Sequence, residues 1–173
     1  TATATHDPSV TTVNDAPTAS NNTVSIDEDT PYVFSTSDFG YTDTDEGDTL
    51  ESIKITNLED AGALQYYNGS AWIDVTLNQV ITVSDITSGY LRLNPTANES
   101  GSPYTTFEFS VNDGDVDSAS SYTMTINVTA INDNPVADNE ENTATEGTTT
   151  TVTDGTSDIL YGDTDTEGDT LEI

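Results

Sequence analysis

Apolar side chains fall on every second residue in Thr106-Phe107-Glu108-Phe109-Ser110-Val111 and in Tyr122-Thr123-Met124-Thr125-Ile126-Asn127-Val128. A period of two sends one face of a strand into a core and leaves the other to solvent. Shorter β-rich runs predict strands near Thr23–Ile26, Tyr32–Ser35, Leu50–Thr56, Leu64–Tyr67, Trp72–Val75, Val80–Val83 and Tyr90–Leu93. No window carries the three-to-four spacing of a helix of useful length. Nine short strands separated by Asp, Asn, Gly and Ser turns, one a hairpin turn at Asn68-Gly69, predict an all-β fold, an antiparallel Greek-key β-sandwich.

The chain also repeats itself. Val13-Asn14-Asp15-Ala16-Pro17 returns 118 residues on as Ile131-Asn132-Asp133-Asn134-Pro135. Tyr41-Thr42-Asp43-Thr44-Asp45 returns at an offset of 120 as Tyr161-Gly162-Asp163-Thr164-Asp165, and the run Glu46 to Glu51 returns at 121 as Glu167 to Glu172. Motifs in one order at one period mean tandem copies of a domain. Residues 1–16 then read as the tail of a preceding repeat and its linker, 17–130 as a complete repeat, 131–135 as a second linker, and 136–173 as the start of a truncated second repeat. The chain reads as cut from a longer array.

Composition narrows the chemistry. The 173 residues hold 32 acidic and 2 basic side chains, a formal charge of −30. Such a polyanion repels nucleic acid and anionic lipid, and its natural partners are cations. No apolar run approaches the roughly 18 residues of a membrane span, so no membrane insertion is expected. The absence of cysteine excludes disulfides and thiolate metal sites. A hydrophobic share of 32% at this charge would argue for disorder were it not for the strand periodicity.

Catalysis has little to work with. His6 is the sole histidine, Lys54 and Arg92 the only bases, and paired acids running glycoside hydrolysis would need a cleft rather than turn loops. The chain is therefore not expected to be an enzyme. Tyr66, Tyr67 and Trp72 flank the hairpin turn, as cross-strand and core residues or as a sugar-stacking platform. Asn-x-Ser/Thr triplets at Asn21, Asn68, Asn98 and Asn127 are candidate glycosylation sites.

The acids group at turns and at the repeat junctions, while Thr and Ser fill most outward strand positions, unlike the even acidic coat of a halophilic surface. Isolated acids such as Asp74, Asp85 and Asp154 fit ordinary turn chemistry. Oxygen-only clusters suit a hard cation such as Ca²⁺, which takes six to eight oxygens at about 2.3–2.6 Å. In Asp-x-Asp, alternate residues of an extended turn point to one side.

On these residues the chain resembles a known family. Asn132-Asp133-Asn134-Pro135 is similar to the cadherin interdomain linker, and the Val13 to Pro17 motif resembles its counterpart in bacterial cadherin-like tandem repeats of large calcium-dependent surface adhesins. Glu28, and Glu146 at the same offset of 118, match the glutamate at the base of such a repeat. Asp43 and Asp45, with Asp163 and Asp165, match its Asp-x-Asp. Glu99, in Asn98-Glu99-Ser100, and Asp113, in Asn112-Asp113-Gly114, match two further turns. Ala130 stands where cadherins begin the linker with Asp, and Ala16 where they end it with Asn.

The resemblance implies a cadherin-like or Ig-like sandwich with Ca²⁺ ligands at two poles. Asn14, Asp15, Asp43, Asp45 and Asp113 would meet at one pole. Glu28 and Glu99 would face Asn132, Asp133, Asn134, Asp163 and Asp165 at the other, with one or two ions per junction. The function it implies is an extender repeat of a bacterial cell-surface or secreted adhesin, stiffened by Ca²⁺, with neighbouring repeats of the same polypeptide as partners. The alternative is a self-assembling, glycosylated extracellular filament subunit completed by neighbouring chains, or a module that recognises glycan or protein.

Overall fold

A computed structural model describes residues 13–45, 47–139, 146–147, 160 and 162–172. His6, Asp154 and the segment assigned to a preceding repeat up to residue 12 lie outside the described residues. The chain divides into two compact units between Thr129 and Ala130.

In the first unit all nine predicted runs are strands: β1 Asn22–Asp27, β2 Tyr32–Val33, β3 Ser52–Asn57, β4 Ala63–Tyr67, β5 Trp72–Asp74, β6 Val80–Thr82, β7 Leu91–Asn94, β8 Gly101–Asn112 and β9 Tyr122–Thr129. They form a five-stranded sheet ordered β1-β9-β8-β3-β6 and a four-stranded sheet ordered β2-β7-β4-β5. The alternation that marks β8 and β9 in the sequence fixes which face is buried. Phe107 pairs with Met124, and Ile55 with Phe109, so the inward residues of three neighbouring strands lie side by side. Phe107, Phe109, Val111, Met124 and Ile126 are all fully buried.

From the opposing sheet come Phe34, Leu64, Leu91 and Leu93. Phe34 meets Phe107 edge-on at 5.5 Å, and Phe39 meets Phe109 edge-on at 5.0 Å. Each such pair adds about 0.5–1.5 kcal/mol beyond its area burial. Phe39 reaches the core through a short 3₁₀ turn over Thr36–Phe39, held by the Ser35 N–H donating to Asp38 Oδ2 at 2.7 Å. Gly40 ends that turn at φ 51°, and a Cβ there would overlap Ser20 Oγ, so only glycine fits.

The sandwich is antiparallel except for one pair. β1 runs parallel to β9, from Asn22 opposite Met124 to Asp27 opposite Thr129. One predicted boundary is corrected: Val83 is not the last strand residue but opens a helical turn, α1 Val83–Thr87. Thr82 Oγ1 accepts the Asp85 N–H at 3.1 Å and donates to Asp85 Oδ2 at 2.7 Å, an N-cap that outcompetes strand continuation. No helix among the described residues is long and apolar enough to cross a membrane.

Candidate functional site

The loop after Gly40 and the β8–β9 turn lie at the same pole as the first linker. Asp43 Oδ1 accepts the Asp45 N–H at 2.8 Å, which curls the loop so that its carboxylates converge. Asp45 Oδ2 in turn accepts the Asp15 N–H at 2.7 Å, and Thr44 donates to Asp15 Oδ2 at 3.3 Å. Asn14 Nδ2 donates to Asp113 Oδ2 and to the Asp15 carbonyl, both at 3.1 Å. The five residues that sequence reasoning placed at this pole therefore meet, linker against loop and turn.

Asp48, which that reasoning left out, joins them: one carboxylate oxygen each from Asp43, Asp45 and Asp48 lies within 4.8 Å of the others. Two oxygens on one Ca²⁺ at about 2.4 Å can be at most about 4.8 Å apart, so the spacing suits a shared ion. The signal for Asp48 was present, since Gly47-Asp48-Thr49 recurs as Gly168-Asp169-Thr170.

Crowding shows in the acidities. Loss of solvent, and then the charges of Asp45, Asp43, Asp113 and Asp115, push the Asp48 carboxyl upward. Tyr41 is pushed up to about 12, by burial first and then by Asp43, Asp113 and Asp48. Asp113 moves the other way, because the Val116 N–H and the Asn14 amide stabilise its anion. A cation bound among these carboxylates would offset the repulsions that help raise Asp48 and Tyr41.

The base of the first unit holds the other pair. Glu28 is 6% exposed, and its N–H donates to the Thr129 carbonyl at 2.9 Å. Its neighbour Asp29, in the left-handed region at φ 58°, accepts the Asn98 N–H at 3.1 Å. Glu99 Oε2 accepts the Tyr104 hydroxyl at 3.0 Å. Glu28 and Glu99 thus sit on two turns tied together by Asp29, a residue that sequence reasoning also left out.

The second unit repeats the linker-to-loop arrangement, at a register the sequence motif did not reveal. Thr18 and Thr42 bridge through paired N–H···O bonds of 2.8 Å, and Val136 and Thr164 bridge in the same way at 2.7 and 2.9 Å. Gly162, like Gly40, has positive φ, and a Cβ on it would overlap Asp138 as one on Gly40 would overlap Ser20. The Asp133 N–H donates to Glu167 Oε2 at 3.1 Å, as Asp15 does to Asp45. The Glu167 N–H donates to Asp165 Oδ1 at 3.1 Å, as Asp45 does to Asp43. Asn132 Nδ2 donates to the Asp133 carbonyl at 2.7 Å, as Asn14 does to that of Asp15.

The offset in this stretch is therefore 122, not 120. Asp165 corresponds to Asp43 and Glu167 to Asp45, while Asp163 stands in the place of Tyr41 and accepts the Asp138 N–H at 2.9 Å. Asn134 is exposed within this linker, next to half-buried Asp133, and Glu146 lies exposed in a two-residue turn, 146–147.

Tyr67 and Trp72 face each other across β4 and β5 with ring centroids 5.5 Å apart, and the Arg92 guanidinium lies 4.0 Å from the Trp72 ring. These two aromatics form a cross-strand pair, whereas Tyr66 packs against the core. Among the triplet asparagines, Asn21, Asn68 and Asn98 are exposed and Asn127 is half-buried within β9. Asn21 Oδ1 accepts the Thr123 N–H at 2.8 Å, and Asn68 Oδ1 accepts two turn N–H groups at 3.0 Å.

Residues 14–129 match the family model described as a bacterial Ig domain. No curated protein and no solved structure matches the chain.

Proposed function

The chain belongs to the bacterial Ig domain family, and from that membership and the linker-to-loop bonds we propose a structural repeat of an extracellular adhesin in which Ca²⁺ fastens each linker to the repeat that follows it. Domains of this family are typically extracellular or surface-borne and generally non-enzymatic. The observation that carries the cation reading is the convergence of Asp43, Asp45 and Asp48 within 4.8 Å, with Asp45 already holding the linker through Asp15.

Asp43, Asp45 and Asp48 supply the carboxylates, with Asp15 and Asp113 at the rim. In the second unit the sequence counterparts of these residues are Asp165, Glu167 and Asp169, but among the described residues only Asp43, Asp45 and Asp48 converge this closely. The ion neutralises charges that otherwise repel, and in doing so it fixes the direction in which the linker leaves the sandwich. A chain kept loose in a calcium-poor cytoplasm stiffens on export, which holds a distal adhesive module away from the cell. Native mass spectrometry in Ca²⁺, with small-angle scattering before and after chelation, tests the reading. Bound ions and a longer maximum dimension in Ca²⁺ support it; no bound ion and an unchanged scattering profile overturn it.

A further inference from the structure

The outward face of the four-stranded sheet carries two rows of side chains of different kinds. Leu64 and Tyr66 of β4 and Leu91 and Leu93 of β7 pack on the core, so the alternation turns Gln65, Tyr67 and Arg92 outward. Tyr67 pairs with Trp72 of β5, and its N–H donates at 2.9 Å to the carbonyl of Tyr90, the residue before β7. The Tyr90, Tyr67 and Trp72 rings follow one another across the sheet with centroids 5.3 and 5.5 Å apart, all three half-buried. The corresponding face of the other sheet has no such row: Thr106 and Glu108 of β8 pair there with Thr125 and Thr123 of β9.

Beside the rings runs a polar row, Arg92 opposite Gln65 and Gln65 opposite Asp74. Gln65 Oε1 accepts from Arg92 Nε at 3.1 Å and from Nη2 at 2.8 Å, and Gln65 Nε2 donates to Asp74 Oδ1 at 3.3 Å. The guanidinium, 4.0 Å from the Trp72 ring, ties the two rows together. Gln65 takes two of its five N–H groups, and among the described residues the only ion pair is Lys54 with Asp117, so no carboxylate there neutralises Arg92. The chain's one arginine and one tryptophan thus share a surface whose own charges, Arg92 and Asp74, cancel on a chain of −30.

We propose that this face binds a neutral β-1,4-linked glycan of pyranoses with equatorial hydroxyls. Such a chain is an extended ribbon with apolar C–H faces and hydroxyl-bearing edges, the same division as the two rows. Its sugars lie one to a ring on Tyr90, Tyr67 and Trp72; the rings are tilted by 58° and 52° to one another, so contact is made sugar by sugar. Edge hydroxyls, which both donate and accept, take N–H groups from Arg92 and give O–H to Asp74. An anionic glycan meets Asp74 and the field of the whole chain, and a cationic one meets Arg92; a neutral one meets neither penalty. None of these residues belongs to the candidate cation site, so the two readings stand or fall separately.

The test titrates the isotopically labelled 173-residue chain with cellohexaose in EDTA, followed by amide chemical shifts. Saturable shifts centred on residues 65–67, 72–74 and 90–92 support the proposal. Trp72→Ala weakens binding about tenfold, the loss of one ring contact, and Trp72→Phe recovers most of it. Arg92→Met weakens it to a similar extent through the lost donors, and Glu108→Gln on the other sheet leaves it unchanged; unshifted core amides show that each variant is folded. The hexamer of the corresponding glucuronate and that of glucosamine, which keep the ribbon and add charge, bind more weakly than cellohexaose. Absence of saturable shifts, shifts centred elsewhere, a folded Trp72→Ala chain that binds as well as the wild type, or tighter binding of either charged hexamer overturns the proposal.

Discussion

Chelating calcium lowers the melting temperature of the first unit by about 6–11 °C relative to about 10 mM Ca²⁺. The size follows from linkage. Extracellular calcium sites have Kd near 10⁻⁴–10⁻³ M, so 10 mM exceeds Kd by about 10- to 100-fold and adds about 1.4–2.7 kcal/mol to stability. The matched stretch, residues 14–129, spans 116 positions. At about 2.1 cal/mol/K per residue its unfolding entropy is about 0.24 kcal/mol/K, which converts that free energy into the stated shift. Differential scanning calorimetry in EDTA and in Ca²⁺ reads it directly. Mg²⁺ gives a smaller shift, because it demands near-octahedral geometry and sheds water reluctantly. The Asp43→Asn/Asp45→Asn variant keeps the oxygens that accept the Asp45 and Asp15 N–H groups but loses two charges, and most of the shift goes with them. A wild-type shift below about 1 °C, or a variant that keeps the full shift, refutes the reasoning.

Stability in EDTA follows a rise and a fall with acid. Asp48 has a raised folded pKa, so its protonation favours the folded state and stability grows as pH falls from neutral towards 3.8. Asp113, and Asp117 through the hydrogen bonds that Lys54 and Asn112 donate to its carboxylate, have depressed folded pKa values, so the stability they contribute above 3.8 is lost as pH falls further. Melting temperature against pH shows both arms, and Asp48→Asn flattens the first. Phe109→Ala, at a fully buried position 5.0 Å from the Phe39 ring, costs about 3–5 kcal/mol, read as a lower urea midpoint at unchanged slope. Arg92→Met removes the cation 4.0 Å from Trp72 and costs about 0.5–1 kcal/mol by the same assay.

The strands were legible because half-burial leaves a mark at every second residue, which residues 106–111 of β8 and 122–128 of β9 carry in their apolar pattern. Pairing direction leaves no such mark, so the parallel contact of β1 with β9 could not be read from either strand. Val83 is β-branched and follows the three strand residues of β6; its helical turn depends on Thr82 and Asp85, whose capping pair looks like any turn-forming polar residues. Motif repetition located Asn14, Asp15, Asp43 and Asp45, while Asp113 and the division into two poles came from the family resemblance. Repetition misled where the loop is one residue shorter in the second copy, with nothing corresponding to residue 46. Identical letters then aligned Asp163 with Asp43, whereas the hydrogen bonds align Asp165 with it. Asp29 was invisible for another reason: it acts through Asn98, a partner 69 residues away that no spacing rule connects to it.

The parallel β1–β9 pair has a mechanical meaning. The linker enters beside Asp113 at one end of the sandwich, and the chain leaves past Thr129 at the other, where the Glu28 N–H holds it. A pull on the two ends therefore runs along the strands in opposite directions. It loads the six register pairs from Asn22–Met124 to Asp27–Thr129 in shear, so they must give way together instead of peeling one by one. A tether built of such repeats resists drag by the direction in which its first and last strands are laid.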